Sequence, residues 1–192
     1  EVEYVTNDVT LGEKRSNQAL MVQNPRKDGI LLYGTNACGK STFMKAIGLN
    51  LIMAQAGLYV ACSEFKYYPY TQIFTRILNN DNIFKSESSF AVEMNELRGI
   101  INRADDSSLV LGDEICSGTE TNSALRIVYA GLSMLSQMRC SFIFTSHLHQ
   151  LTDFEEINMI KNLKIYHLEI KYDGDKLIYD RKLKEGSGPS IY

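Results

Sequence analysis

The chain has 192 residues, of which 44% are hydrophobic, and its formal net charge is −3. This length and apolar content fit one globular domain with a full core. The negative charge argues against a general nucleic-acid-binding surface, although it leaves room for a local basic patch, so any DNA contact is expected elsewhere. The apolar stretch at residues 49–54 is too short to cross a bilayer, and the acidic N-terminus lacks a signal-peptide pattern. We therefore expect a soluble intracellular domain without membrane contact.

The chain contains four widely spaced cysteines, which are Cys38, Cys62, Cys116 and Cys140. They form no C-x-x-C pair and no histidine cluster accompanies them, so we predict reduced thiols rather than a zinc site. Cys38 and Cys116 stand next to the candidate functional residues described below. Their position predicts that an oxidant or an alkylating agent affects the site.

Predicted strands and helices alternate along most of the chain. Alternating patterns and short apolar runs predict strands at residues 4–11, 18–22, 29–33, 72–77, 108–114 and 141–147. Helical spacing of apolar residues predicts helices at residues 41–57, 88–104 and 121–138. Two further strands, 164–170 and 176–181, flank the hairpin turn signal Asp173-Gly174-Asp175. This order predicts an α/β fold whose mostly parallel sheet is flanked by helices, with a ligand site at the carboxyl ends of the strands.

A phosphate-binding loop follows the predicted strand 29–33. The stretch from Gly34 to Thr42 reads G-T-N-A-C-G-K-S-T and matches G-x-x-x-x-G-K-[ST]. Gly34 and Gly39 let the backbone turn its N–H groups inward, and the following helix directs its positive N-terminal end at the phosphates. We expect Lys40 to contact the β and γ phosphates and Ser41 to hold Mg²⁺. The alternative is a chance match in a Gly-rich turn, which the strand before and the helix after disfavour.

Two adjacent acids, Asp113 and Glu114, follow the apolar run at residues 109–111. Mg²⁺ needs a hard oxygen ligand, and hydrolysis needs a base that orients water. We therefore expect Asp113 to hold the metal, directly or through water, and Glu114 to activate the nucleophile. The alternative is an acidic strand end that faces solvent, but the phosphate loop upstream favours the catalytic interpretation.

The next predicted strand ends in His147. Because that strand follows the acidic one, we expect His147 to contact the γ phosphate or the attacking water, with a satisfied polar group as the alternative. His149 and His167 have no such placement and are predicted at the surface or in packing. The aromatic stretch at residues 65–70 is predicted to serve packing or an interface rather than base stacking.

Nearly the whole chain resembles the ATPase domain of the MutS mismatch-repair family. The motifs that carry this resemblance are S-S-F-A-V-E-M at residues 88–94, L-V-L-G-D-E at 109–114, G-T at 118–119 and T-S-H at 145–147. Of the family loop G-P-N-M-G-G-K-S-T, the chain keeps Gly34, Asn36, Gly39, Lys40, Ser41 and Thr42. The S-[ST]-F-x-x-E-M segment is the most discriminating, because transporter-type ATPases of the wider ABC class carry an L-S-G-G-Q signature instead, which this chain lacks.

The resemblance implies a P-loop NTPase fold of the ABC-ATPase type and a site shared by two facing domains. Ser88 of one subunit would then reach the nucleotide bound to the other, so the expected partner is a second MutS-type subunit in a homodimer. Tyr4 looks like the family's aromatic residue that stacks on adenine. Arg181 falls near the second stacking position, and Tyr179, on the same face of the predicted strand, is the alternative.

The chain also departs from the family pattern. Thr35, Ala37 and Cys38 replace the family's Pro, Met and Gly, and Cys38 adds a side chain at a crowded backbone position. Ser86-Glu87 and Cys116-Ser117 stand where bacterial relatives have Gly-Arg, which puts arginine-assisted communication across a dimer in doubt. The sequence L-G-D-E-I-C-S-G-T-E resembles the divergent MutS branch of large DNA viruses and certain organelles.

The resemblance implies Mg²⁺-dependent ATP hydrolysis that drives conformational change of a DNA-bound dimer. Mismatch-binding, lever and clamp domains do not fit into 192 residues, so residues 1–192 are expected to be one ATPase domain excised from a longer protein. Those missing domains would contact the mismatched duplex DNA. Three alternatives stay open: a MutS-related ATPase in recombination control, a GTPase, and a nucleotide-gated dimerisation module with little hydrolysis. The lack of an N-K-x-D motif disfavours the GTPase.

Overall fold

The structure is a computed structural model that describes residues 4–12, 28–77, 89–114, 121–148, 150–174 and 176–188. Six strands lie within these ranges: Gly29–Tyr33 (β1), Gln72–Arg76 (β2), Ser108–Gly112 (β3), Ser141–Ser146 (β4), Leu163–Asp173 (β5) and Lys176–Glu185 (β6). The helices of the same ranges are Lys40–Gln55 (α1), Ser89–Ile101 (α2), Thr121–Gln137 (α3), Gln150–Asp153 (α4) and Glu155–Asn158 (α5).

All six strands form one sheet in the order β2-β3-β4-β1-β5-β6. Neighbouring strands from β2 to β5 run parallel, whereas β6 pairs with β5 antiparallel. The predicted α/β class, with a mostly parallel sheet and an antiparallel portion near the end, is therefore confirmed. Because β3, β4 and β1 are neighbours, their carboxyl ends lie side by side at one edge of the sheet.

The sheet separates two apolar clusters, because successive strand side chains point to opposite faces. Ile30, Leu109 and Ile143 belong to the cluster that includes the α1 residue Met44. The other cluster contains the alternate strand positions together with residues of α2 and α3: Leu31, Val110, Phe142, Leu97 and Leu132. The helices consequently cover both faces of the sheet and hold the loops at its carboxyl edge in place.

Several element boundaries differ from the sequence-based prediction. Residues 4–12 form no strand, which corrects the strand predicted at 4–11, and the predicted strand 18–22 lies outside the described residues. The segment 4–12 attaches to β6 through a side chain, since the Asn7 amide bonds the β6 backbone. Strand β3 ends at Gly112 and β4 at Ser146, so the acids and His147 belong to the loops that follow.

The helices agree with the predicted ones to within a few residues, and the short α4 and α5 were not predicted. The longest described helices, α1 and α3, have 16 and 17 residues. Among the helices described here, none combines the length and the apolar character that a membrane crossing requires.

Candidate nucleotide-binding site

The candidate site lies where β1, β3 and β4 end next to each other. The loop from Gly34 to Gly39 connects β1 to α1, and Asp113 and Glu114 follow β3. His147 follows β4 directly. The strand order thus brings together three sequence-predicted groups, as expected for a ligand site at the carboxyl edge of a parallel sheet.

The phosphate loop adopts backbone conformations that favour glycine at three positions. The φ angles are 149° at Gly34, 66° at Ala37 and 106° at Gly39. Gly39 is the N-cap of α1 and provides no side chain to cap the helix. The first N–H groups of α1 therefore meet no capping side chain, which suits a helix N-terminus that receives an anion. Asn36 and Ala37 are exposed on this loop.

Lys40 is the first residue of α1, and its side chain turns back under the loop. Its Nζ donates hydrogen bonds to the backbone oxygens of Gly34, at 2.8 Å, and Thr35, at 2.9 Å. The same Nζ lies 3.6 Å from Glu114 Oε1, and Lys40 is only 4% exposed. The ammonium is thus held at the centre of the loop and already faces the acid that the sequence predicts as the base.

Asp113 is bonded by two hydroxyl groups from two different elements. Ser41 Oγ donates to Asp113 Oδ1 over 2.8 Å, and Thr145 Oγ1 donates to the same oxygen over 2.6 Å. Asp113 is only 6% exposed. A carboxylate and a hydroxyl placed side by side are hard oxygen donors of the kind that Mg²⁺ prefers. The structure therefore brings together the two residues that the sequence predicts as metal ligands.

Glu114 occupies a backbone conformation that is rare for residues other than glycine. Its φ is 46°, and its N–H donates to Thr145 Oγ1 over 3.0 Å. Such left-handed conformations cost about 1–3 kcal/mol and concentrate at functional sites. Its Oε1 lies near Lys40 on one side and 3.7 Å from His147 Nδ1 on the other. Glu114 is therefore a neighbour of two other predicted catalytic residues, Lys40 and His147.

The structure contains two buried polar atoms at this edge that suit a further ligand. His147 Nδ1 and Thr35 Oγ1 have no hydrogen-bond partner among the described residues. Buried polar atoms normally pair, so each of these marks a place where a bound group could supply the partner. Together with the uncapped helix and the Ser41–Asp113 pair, they show that the residues present fit a nucleotide phosphate chain with Mg²⁺.

The residues predicted to hold the base lie on two segments that contact each other. Tyr4 is 94% exposed, and three residues later Asn7 Nδ2 donates to the backbone oxygen of Arg181 over 3.0 Å. The Arg181 Cδ would lie 3.9 Å from a Cβ built on Gly39, so this side chain runs next to the phosphate loop. Tyr179 packs instead against the apolar cluster on the α1 face.

Cys38 is less accessible than its position in the loop predicts. It is fully buried, and its Sγ would lie 3.2 Å from a Cβ built on Gly34. The side chain turns under the loop and joins the cluster that contains Met44, so it does not face the phosphate side as an accessible group. Ser88, Cys116 and His149 lie outside the described residues, whereas Thr42 is exposed on α1.

Thr145 is the site residue to which sequence reasoning assigned no role. It stands within the T-S-H motif, but a strand threonine is common and carries no chemical signal by itself. Its importance depends on the pairing of β4 with β3, in which Phe144 lies opposite Gly112. This register puts Thr145 beside Asp113, and local sequence patterns do not show it.

Comparison with known protein families matches residues 30–192 to the family described as MutS domain V. The matched range includes the phosphate loop, the acidic pair and His147. The resemblance stated from the motifs is therefore confirmed.

Individual relatives extend the comparison over the whole chain. A mutS homologue of Acanthamoeba polyphaga mimivirus is 42% identical and aligns with 100% of this chain. The mitochondrial DNA mismatch repair protein mutS homologue of Sarcophyton glaucum is 44% identical over 85% of the chain. The DNA mismatch repair protein MutS of Finegoldia magna is 34% identical over 99% of it. The predicted likeness to viral and organellar members is thus confirmed.

These relatives are much longer than the chain. It spans 19% of the viral protein, 16% of the mitochondrial one and 21% of the bacterial one.

Proposed function

Since this chain belongs to the MutS family, we propose that it binds ATP with Mg²⁺ and hydrolyses it, and that the nucleotide state changes the conformation of a mismatch-repair dimer. The observation that carries this proposal is the convergence of Lys40, Ser41, Asp113 and Glu114 at the carboxyl edge of the sheet. These residues come from the start of α1 and from the loop after β3, and they provide the charge, the metal ligands and the base that phosphoryl transfer requires.

Each of these side chains has a proposed part in the reaction. The loop N–H groups and Lys40 bind the β and γ phosphates, and Ser41 and Asp113 hold Mg²⁺, which neutralises developing negative charge when it is bound. Glu114 accepts a proton from the attacking water while the water oxygen bonds to the γ phosphorus. The bond between the γ phosphorus and the β–γ bridging oxygen breaks, and ADP leaves with the electron pair of that bond. His147 lies close enough to Glu114 to orient this water or the γ phosphate.

The pairing of Lys40 with Glu114 supports a direct link between nucleotide binding and the availability of the base. Glu114 is paired with Lys40 at 3.6 Å. An arriving phosphate competes for the same ammonium, because both groups are anionic. We propose that nucleotide binding draws Lys40 away from Glu114 and leaves this carboxylate available for water.

The partners follow from family membership and are part of the proposal. A second MutS-type subunit would complete the site with its Ser88, and Tyr4 with Arg181 would flank the adenine. The relatives carry mismatch-repair names and are about five times longer than this chain, so we propose that mismatched duplex DNA is bound by other domains of a longer protein. In this arrangement residues 1–192 act as the ATPase domain.

Two substitutions test the proposed chemistry separately. Lys40→Ala removes the charge that meets the phosphates and is expected to abolish measurable ATP binding in calorimetry. Glu114→Gln keeps the shape of the side chain and loses the base, so we expect ATP binding to persist while single-turnover hydrolysis slows by about 10²–10⁴-fold.

The exposed loop pair Glu64 and Lys66 provides matched controls. These side chains form an ion pair at 2.6 Å and are largely solvent-exposed. Glu64→Gln and Lys66→Ala make the same chemical changes outside the site and should leave binding and hydrolysis unchanged. Near-native ATP affinity in folded Lys40→Ala protein would remove Lys40 from the site, and preferential displacement of ATP by GTP would favour a GTPase.

A further inference from the structure

One hydroxyl group at the end of β4 contacts both acids of the site. Thr145 Oγ1 donates to Asp113 Oδ1 over 2.6 Å and accepts the backbone N–H of Glu114 over 3.0 Å. We propose that Thr145 is a positioning residue. Its hydroxyl proton orients the carboxylate of Asp113, the proposed metal ligand, and a lone pair of its oxygen holds the backbone N–H of Glu114, the proposed base. This inference rests on the proposed ATPase function and assigns a role that the acids cannot perform alone.

The strand register explains why Thr145 reaches both acids. Leu111 of β3 lies opposite Ile143 of β4, so the positions two residues later, Asp113 and Thr145, share the α1 face of the sheet. Thr145 also lies opposite Leu32 of β1, the strand that leads into the phosphate loop. A residue held between the two strands and 2% exposed has little freedom to turn away.

The hydrogen-bond directions leave one arrangement of the Thr145 proton. A backbone N–H can only donate, so the bond from Glu114 uses a lone pair of the hydroxyl oxygen. The single hydroxyl proton is then available for Asp113 Oδ1, which accepts it. If Ser41 turns its oxygen to Mg²⁺, Thr145 remains as a hydroxyl that holds Asp113 in place.

The second contact acts on the backbone of Glu114. With φ at 46°, this residue would relax toward an extended or right-handed conformation if nothing held it. The bond from its N–H to Thr145 opposes that relaxation. Relaxation would carry the carboxylate away from Lys40 and His147, which it now faces at 3.6 Å and 3.7 Å.

The test compares Thr145→Val, which keeps the shape and loses the hydroxyl, with Thr145→Ser, which keeps the hydroxyl. The probe is Mn²⁺ with the non-hydrolysable analogue AMP-PNP, followed by electron paramagnetic resonance. We expect Thr145→Val to weaken Mn²⁺ binding about 10- to 100-fold, as for other groups that orient a metal ligand, and Thr145→Ser to stay near wild type. AMP-PNP affinity in EDTA should stay within about twofold in both variants, because the phosphate loop is intact.

A ligand-free measurement tests the backbone contact. Hydrogen exchange of the Glu114 amide should accelerate at least about tenfold in Thr145→Val and remain slow in Thr145→Ser, since only the valine removes the acceptor. Thr75→Val is the matched control, because Thr75 is an exposed threonine on β2 outside the site and should change neither readout. Urea unfolding establishes that each variant is folded.

The outcomes separate this inference from the proposed function. Wild-type Mn²⁺ affinity and wild-type Glu114 exchange in folded Thr145→Val would overturn the role of Thr145 while ATP hydrolysis stands. Failure of the wild-type chain to bind AMP-PNP would overturn the proposed function, and the exchange measurement would still test the contact. If the valine variant does not fold, Thr145→Ala replaces it in both measurements. Weakened Mn²⁺ binding in Thr145→Ser would also contradict the inference.

Discussion

At the scale of single residues, Cys38 shows how the phosphate loop accepts a side chain at a crowded position. The thiol is fully buried and packs on the apolar cluster beneath the loop. A Cβ on Gly34 would lie only 3.2 Å from its sulfur, so the lack of a side chain at Gly34 is part of the accommodation. The loop thus accommodates a buried thiol at the position where the family pattern has glycine.

This burial predicts which thiols react with an alkylating agent. Burial is the main cause that raises the pKa of Cys140 to about 12, and the charges of Asp105 and Asp28 add to it. The raised pKa keeps this thiol protonated, so only about one molecule in ten thousand carries the reactive thiolate at pH 8. In the folded chain at pH 8, iodoacetamide should label exposed Cys62 while Cys38 and Cys140 stay unlabelled, as measured by mass spectrometry of peptides.

The urea-unfolded chain is the control, in which all of these thiols should react. Cys62→Ser should remove the early label from the peptide that contains position 62 and leave the labelling of the other peptides unchanged. Labelling of Cys38 as fast as that of Cys62 would contradict the buried position of this thiol.

At the scale of elements, the segment 4–12 is joined to β6 by the side-chain amide of Asn7 and not by backbone hydrogen bonds between two strands. Asn7 Nδ2 donates to the Arg181 oxygen and Asn7 Oδ1 accepts the Leu183 N–H, at 3.0 Å and 2.7 Å. Lys182 Nζ adds a bond of 2.7 Å to the Thr6 oxygen. Arg181 has a φ of 57°, which departs from regular strand backbone. It lies where the pairing of β5 and β6 shifts register. Asn7 therefore links the two segments that are proposed to flank the adenine.

Breaking this link should affect base recognition more than phosphate binding. We expect Asn7→Ala to weaken ADP binding about five- to tenfold, the equivalent of about one hydrogen bond, while tripolyphosphate binding stays unchanged. Calorimetry with both ligands measures the difference. Asn50→Ala is the control, because the Asn50 amide likewise bridges two backbone groups, Ala46 and Ala61, away from the site. Equal losses for ADP and tripolyphosphate would assign Asn7 a general structural role instead.

At the scale of the whole molecule, the proposed shared site predicts that activity depends on protein concentration. If Ser88 of one subunit completes the site of another, the specific ATPase activity should rise with concentration, because dimers form by mass action. Ser88→Ala should leave ATP binding to the monomer nearly intact and impair hydrolysis. Steady-state hydrolysis across a concentration series, with analytical ultracentrifugation of the same samples, measures both.

Mixing two inactive variants gives the sharper measurement. A heterodimer of Ser88→Ala and Lys40→Ala chains contains one doubly defective site and one site with both groups intact. Activity above that of either variant alone is the expected result. Constant specific activity, without recovery where heterodimers demonstrably form, would show that each chain hydrolyses ATP alone.

Local sequence patterns predicted the glycine-rich loop, the order of the strands β1 to β6 and of the helices α1 to α3, the α/β class and the family. These features depend on short-range rules, because turns, apolar periodicity and compact motifs are encoded by residues close together in the chain. The same rules wrongly predicted a strand at residues 4–11. An alternating pattern does not reveal that the Asn7 side chain, and not backbone pairing, joins this segment to β6. The catalytic and binding roles of the individual residues stay predictions.

The tertiary structure alone decided which of these groups meet. Ser41 and Asp113 are 72 positions apart, Thr145 and Asp113 are 32 apart, and Asn7 and Arg181 are 174 apart. The contacts of Asp113 with Ser41 and Thr145 depend on the strand order β3-β4-β1 and on the register of its pairs, which arise from the packing of two apolar faces and not from any local pattern. The contact between Asn7 and Arg181 depends instead on the attachment of segment 4–12 to β6. For the same reason the burial of Cys38 and the double contact of Thr145 could be found only in the folded chain.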